Sequence, residues 1–128
     1  MKNCYCCSNN SFENCCEPFI SGKRNPATCL ELMRSRYSAY CIKNAAYLLA
    51  TTHIAERKNY SKTEILDWAT INNWQKLEIL NFSKTTVEFK AYYVDADNEA
   101  NIHHEYSNFN LENNFWFYVN GVFPNKIE

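Results

Sequence analysis

Thr85-Thr86-Val87-Glu88-Phe89-Lys90-Ala91-Tyr92-Tyr93-Val94-Asp95 places Val87, Phe89, Ala91 and Tyr93 on one face and charged or polar residues between most of them. A period of two belongs to a strand buried on one side, so the stretch predicts one strand of an antiparallel sheet with a single covered face. Comparable runs flank it, roughly Trp74 to Phe82, Ala100 to Phe109 and Phe115 to Val122, separated by turns rich in Asn, Asp and Ser. Four such strands in succession predict a meander.

Upstream the period changes. Thr28 and Glu31 have capping-box spacing, and Pro26 suits a helix start. In the helix that follows, Leu30, Met33, Tyr37, Tyr40 and Cys41 form one stripe, with Arg34 and Arg36 at its opposite edges. Asn44 caps a short second helix, and Ser61 with Glu64 opens a third through Ile65, Leu66, Trp68 and Ala69. Helices followed by a meander predict an α+β fold with the helices packed on one face of a curved antiparallel sheet.

Length and composition fit one such domain. The chain has 128 residues, 46% of them hydrophobic and 16% aromatic, enough to build a core. Its formal charge is -1, with basic residues scattered rather than gathered into a stripe, which argues against nucleic acid as a partner. No apolar run follows Met1-Lys2-Asn3-Cys4 and none approaches membrane-spanning length, so a cytoplasmic location away from the membrane is expected.

Five of the seven cysteines lie in Cys4-Tyr5-Cys6-Cys7-Ser8-Asn9-Asn10-Ser11-Phe12-Glu13-Asn14-Cys15-Cys16. An odd count without a secretion signal disfavours a disulfide framework. A Cys-x-Cys pair, eight residues and a Cys-Cys pair can instead bring four soft thiolates around one ion, which suits zinc. Adjacent Cys15 and Cys16 can both be ligands only in a tight knuckle or at a helix start. Four thiolates and one Zn²⁺ add -4 + 2 = -2 to the charge, which Lys2, Lys23 and Arg24 are placed to offset. Glu17-Pro18-Phe19-Ile20-Ser21-Gly22 carries the punctuation of a linker. Residues 1–22 are therefore expected to form the knuckle and linker, and 23–128 the α+β domain.

The spacing Cys-x-Cys-x(8)-Cys-Cys resembles the SEC-C zinc motif found in the tail of the SecA translocation ATPase. That resemblance implies one Zn²⁺ per chain on Cys4, Cys6, Cys15 and Cys16. It leaves Cys7, where the motif usually has Gly, as a spare thiol. Leu32-Met33-Arg34-Ser35-Arg36-Tyr37, with Ala39-Tyr40 after it, is similar to the signature of the YchJ family of bacterial SEC-C proteins. The likeness continues through Ala46-Tyr47-Leu48-Leu49 to Thr52-His53, and resumes at His104-Glu105-Tyr106-Ser107-Asn108-Phe109 and Trp116-Phe117-Tyr118-Val119-Asn120-Gly121. The chain departs from the family where Thr52 and Ile54 replace the Trp and Pro flanking His53, where Tyr106 and Asn108 replace two arginines, and in having no second cysteine knuckle before Glu128. The resemblance implies a nuclear-transport-factor-2-like cone, a fold that often encloses a pocket.

Three residues are candidates for chemistry in that pocket. Parity with Phe109 turns Glu105 and Ser107 inward, His103 joins them, and His104 faces the other way. An inward Glu105 is either a general base in a dry pocket or the partner of Arg34 or Arg36, and the ion pair is the expected arrangement because charges are seldom buried alone. His53 ends the helical region, where a protonated imidazole complements the helix dipole. Cys29 and Cys41 read as core thiols. Two glycines, Gly22 and Gly121, cannot build a phosphate-cradling loop, and no Gly-x-Ser-x-Gly or His-Glu-x-x-His occurs. The expected function is a non-catalytic adaptor whose knuckle meets a protein partner through Tyr5, Asn9, Asn10 and Phe12, with room for a small ligand in the cone. The alternative is an isomerase, dehydratase or hydrolase working in the cone, favoured by an apolar cavity with an unpaired Glu105 or an inward-facing His, whereas a filled cavity and a paired Glu105 favour the adaptor.

Overall fold

The computed structural model describes residues 3–124, which leaves Lys2 and its expected part in the charge balance outside the described residues. Four strands, β1 (Asn73–Phe82), β2 (Thr86–Val94), β3 (Ala100–Glu112) and β4 (Phe115–Val122), pair antiparallel in the order β1-β2-β3-β4. The expected alternation holds on β2, where Val87, Phe89 and Ala91 are buried. Val87 faces Ser107 and Phe89 faces Glu105 across the β2–β3 ladder, which carries the same covered face onto β3. Register shifts within β1 and at Asn108/Phe109 of β3 bend and twist the sheet. β3 runs three residues beyond its expected end at Phe109 and turns into β4 through Asn113 and Asn114, both in the left-handed region that Asn tolerates best.

The described residues form four α-helices, α1 (Glu17–Ile20), α2 (Cys29–Cys41), α3 (Ala45–Ala50) and α4 (Lys62–Ile71); α2 packs on the sheet, α1 and α3 pack on α2, and α4 packs on α3. The caps read from sequence are present. Thr28 accepts from the Glu31 amide, Asn44 from that of Tyr47 and Ser61 from that of Glu64. The expected linker is instead a helical turn: Pro18 sits in its first turn, Phe19 is buried, and Gly22 follows at φ 86°. Helix starts tolerate Pro, and Gly after a helix end is the usual left-handed stop, so both residues terminate an element rather than mark open chain.

The single stripe expected on α2 is too narrow. Cys29, Leu32, Met33, Ser35, Arg36, Tyr37, Ser38 and Ala39 are all buried. The sheet, α3 and the cysteine segment each pack on a different side of this helix, so its polar residues are covered as well. Cys4, Cys6 and Cys16 join Leu32, Met33, Tyr37, Leu77, Val87 and Phe109 in one buried cluster. No helix among the described residues is long and apolar enough to cross a membrane.

Candidate metal centre and cone cavity

The cysteine segment folds into a tight knuckle. Asn3 and Ser11 form a bridge, the Cys4 amide donates to Asn10 O at 2.8 Å, and a 3-10 turn spans Phe12–Asn14. Cys15 closes that turn and Cys16 caps α1, its carbonyl accepting from the Phe19 and Ile20 amides. This change of direction between neighbours is what lets adjacent cysteines aim at one point. Cys7 lies at φ 66°, a conformation that glycine adopts without the penalty of a Cβ. The preference of the motif for Gly there has this backbone cause.

The sulfurs of Cys4, Cys6, Cys15 and Cys16 lie within 4.8 Å of one another. Cys6 and Cys15 Sγ are 3.6 Å apart, Cys15 and Cys16 3.9 Å. Tetrahedral coordination with metal–sulfur bonds of about 2.3 Å sets sulfurs about 3.8 Å apart, so four soft donors already stand at the spacing a metal ion needs. The proton affinities of the thiols diverge. Hydrogen bonds from Cys16 and Cys6 pull Cys4 far below an ordinary thiol, the bond to Cys4 raises Cys16, and burial pushes Cys15 up to about 11. Cys4 thus loses its proton most readily, while Cys15 and Cys16 resist losing theirs. The four cysteines could thus hold a metal ion, and Cys7, exposed on the outer loop, lies outside the cluster.

A cation other than the expected Lys23 and Arg24 contacts the knuckle. Lys23 pairs with Glu17 at 3.6 Å and Arg24 lies over the Phe19 ring. Arg34 of α2 instead donates to Cys6 O at 2.8 Å, while Ser38 of the same helix stands 3.6 Å from Cys4 Sγ. The sequence offered no signal for this contact, because Arg34 reads as the solvent edge of a helix until the knuckle is placed against it.

A cavity of about 220 Å³ opens between the sheet and the helices. Glu105 and His103 line it, but the expected ion pair of Glu105 with Arg34 or Arg36 is absent. Arg36 donates through Nη1 to Leu48 O at 2.9 Å and Thr51 Oγ1 at 2.7 Å, at the end of α3, and its guanidinium lies 4.6 Å from the centre of the Tyr118 ring. Carbonyls at a helix C-terminus lack intrahelical donors and attract cations, which is why α3 captures this side chain. Tyr118 stands between the two charges, its ring on Arg36 and its hydroxyl donating to Glu105 Oε2 at 2.7 Å. The other partners of Glu105 are Ser107 Oγ and His103 Nε2, each at 2.7 Å. Burial opposes ionisation of Glu105, yet the hydrogen bonds from His103, Tyr118 and Ser107 outweigh it and hold the carboxyl below its ordinary value of 4.5. Gly121, opposite Ser107, leaves room for this carboxylate, which any Cβ there would overlap.

His53 has a different place. Its Nδ1 accepts from the Ala55 amide at 3.1 Å, capping the 3-10 turn Ile54–Asn59, and Nε2 meets Glu112 at 2.7 Å. His53 thus caps the turn that follows it rather than the helix before it, and it is not among the cavity residues. His104 faces outward to Glu88 at 2.8 Å. Parity brought Glu105, His103 and Ser107 together, but Tyr118 was missed, since its role depends on β4 pairing with Thr51–His53.

The chain is similar to several known proteins. A family model described as the YchJ middle NTF2-like domain matches residues 28–121. A UPF0225 protein of Geobacter sulfurreducens is 35% identical over 92% of this chain and 77% of its own length. One from Actinobacillus succinogenes is 36% identical over 96% of this chain and 84% of its own. Among solved structures, a SEC-C motif containing protein from Rhodopseudomonas palustris superposes with TM-score 0.87 at 30% identity, covering 94% of this chain and 98% of that one. Another, from Psychrobacter arcticus, gives TM-score 0.83 at 26% identity over all of this chain and 86% of that one. With the cysteine knuckle, the cone and these relatives in agreement, the chain belongs to the YchJ family of SEC-C motif proteins, the UPF0225 family.

Proposed function

We propose that Cys4, Cys6, Cys15 and Cys16 bind one Zn²⁺ per chain, and that the ion shapes the knuckle as an adaptor surface for a protein partner. The observation that carries this reading is the tetrad of sulfurs within 4.8 Å, three of whose residues are buried against α2. Four thiolates complete the tetrahedron and leave no coordination position for a substrate, so zinc so held is structural rather than catalytic. Its contribution is shape, and shape serves recognition. Tyr5 and Phe12, expected as contact residues, stack edge to face at 5.3 Å and pack on the core, which supports the loop from beneath. Asn9 and Asn10 stand exposed above them with Cys7, and they form the polar face offered to the partner.

Metal analysis of purified protein is expected to give one zinc per chain, retained in Cys7→Gly and lost in Cys16→Ser. Zinc lost with Cys7 would move the ligand set. For docking, a double variant Asn10→Lys, Glu13→Lys, at two exposed positions of the cysteine segment, alters its outer surface while leaving all four thiols. It is expected to keep its zinc and to lose proteins captured by the wild type. An unchanged capture pattern in this zinc-loaded variant rules out the adaptor role and leaves the ion purely structural.

A further inference from the structure

The cone cavity is built on different principles from the knuckle, and its walls are aromatic. Trp74 lines it with Tyr40 and Trp68, its ring centroid 5.5 Å and 6.2 Å from theirs, and a further ring outside the lining, Tyr93, stands 5.1 Å away, all tilted or edge on. A volume of about 220 Å³ is below the range of about 300–1,000 Å³ that takes drug-sized molecules, and suits one or two rings.

The polar groups are arranged in depth. Glu105 sits at the back, its side chain 8% exposed, with both oxygens engaged. His103 stands in front of it, 29% exposed, with its ring held by Phe89 at 6.0 Å and Phe123 at 5.4 Å. Because Glu105 is an acceptor at Oε1, Nε2 of His103 must be the protonated nitrogen, and Nδ1 remains to meet whatever enters. Glu105 is therefore a positioning residue acting through His103. The buried guanidinium of Arg36 and the carboxylate of Glu105 lie on either side of Tyr118. Their opposite charges leave no net charge for an ionic ligand to answer.

We propose that this cavity is a binding site for a small neutral ring compound bearing a hydroxyl or carbonyl oxygen, with the aromatic walls clasping the ring and His103 Nδ1 hydrogen-bonded to the oxygen. The site is independent of what the knuckle docks on, so either assignment stands if the other fails.

Naphthol serves as the probe, titrated into the full chain and followed through amide chemical shifts by NMR. Saturable shifts are expected around Ala91, His103 and Tyr118. Ala91→Leu, which extends a side chain from the sheet into the cavity, is expected to abolish them; if its spectrum is no longer dispersed, Ala91→Val takes its place with a weaker effect. His103→Gln should weaken naphthol about five- to tenfold, as loss of one hydrogen bond requires, while methylnaphthalene, which lacks the oxygen, binds as before. Naphthoate should bind more weakly than naphthol. The proposal is overturned by absence of saturable shifts, by binding that survives filling of the cavity, by equal loss of both probes in His103→Gln, or by preference for the anion.

Discussion

Glu105 is a buried carboxylate whose charge is balanced by three hydrogen bonds, from His103, Ser107 and Tyr118, in place of a cation in contact. Such an arrangement is costly to disturb, because each donor is oriented toward a charge. The folded chain depresses the Glu105 pKa below 4.5. Folding therefore favours the ionised form, and the stability this contributes is present above about pH 4.5 and lost as pH falls through the lower folded-state value. Glu105→Gln removes the charge and turns one acceptor into a donor facing donors. It is expected to lower stability by about 1.5–3 kcal/mol at neutral pH, the range for hydrogen bonds to a charged group. Its stability should also fall less steeply than that of the wild type below pH 4.5. Urea denaturation across the acid range reads both effects, and a variant as stable as wild type at neutral pH would show that the three donors are satisfied without the carboxylate. Gly121 belongs to the same design, since its hydrogen is the largest substituent that leaves the carboxylate in place.

At the scale of elements, α2 connects the knuckle, α3 and the sheet. Arg34 reaches the knuckle, Arg36 the end of α3 and the ring of Tyr118, and Cys29 the β1–β2 turn through Ser83 O. Arg36→Lys keeps the charge but loses the flat guanidinium that serves both carbonyl and ring. A cost of about 1–2 kcal/mol is expected, seen as a lower urea midpoint with unchanged slope; an unshifted midpoint would mean that the ammonium reproduces both contacts. The strands and caps of this fold were legible in the sequence because they are set by local rules. Val87, Phe89 and Ala91 repeat every two residues, and Thr28, Asn44 and Ser61 each precede the amide they cap by three. The four thiols were legible for a similar reason, since their spacing is itself the motif. Partners chosen across the fold were not. Arg36 had Glu105 and the α3 carbonyls within its possible reach, and nothing in the order of residues says that Tyr118 would come between them. Leu32 and Ser38 lie off the expected stripe of α2, and both are buried.

The whole molecule poses the question of whether knuckle and cone fold as one unit. Two observations bear on it from opposite sides. The family match begins at residue 28, and the sheet with α2, α3 and α4 lies entirely beyond residue 22. Against this, Phe19 and three knuckle cysteines are buried, and α2 turns Ser38 toward the knuckle. A chain beginning at Lys23 keeps every strand pairing and the contacts of Arg36, but exposes one side of α2. Ser38 regains water in place of the Cys4 thiol, which costs little. Loss of the cover from Phe19 is worth up to about 1.5–3 kcal/mol. Since a domain of this size has stability on the order of 5–15 kcal/mol, the shortened chain is expected to remain folded and to unfold cooperatively at a lower temperature. If the proposed ion is removed from the full chain by a chelator, that form is expected to unfold between the two, because a loosened knuckle still leaves Phe19 in covalent reach of its pocket. Differential scanning calorimetry of the three forms distinguishes the possibilities. A shortened chain without an unfolding transition would mean that α2 cannot be held by the sheet alone and that the knuckle is part of a single cooperative core.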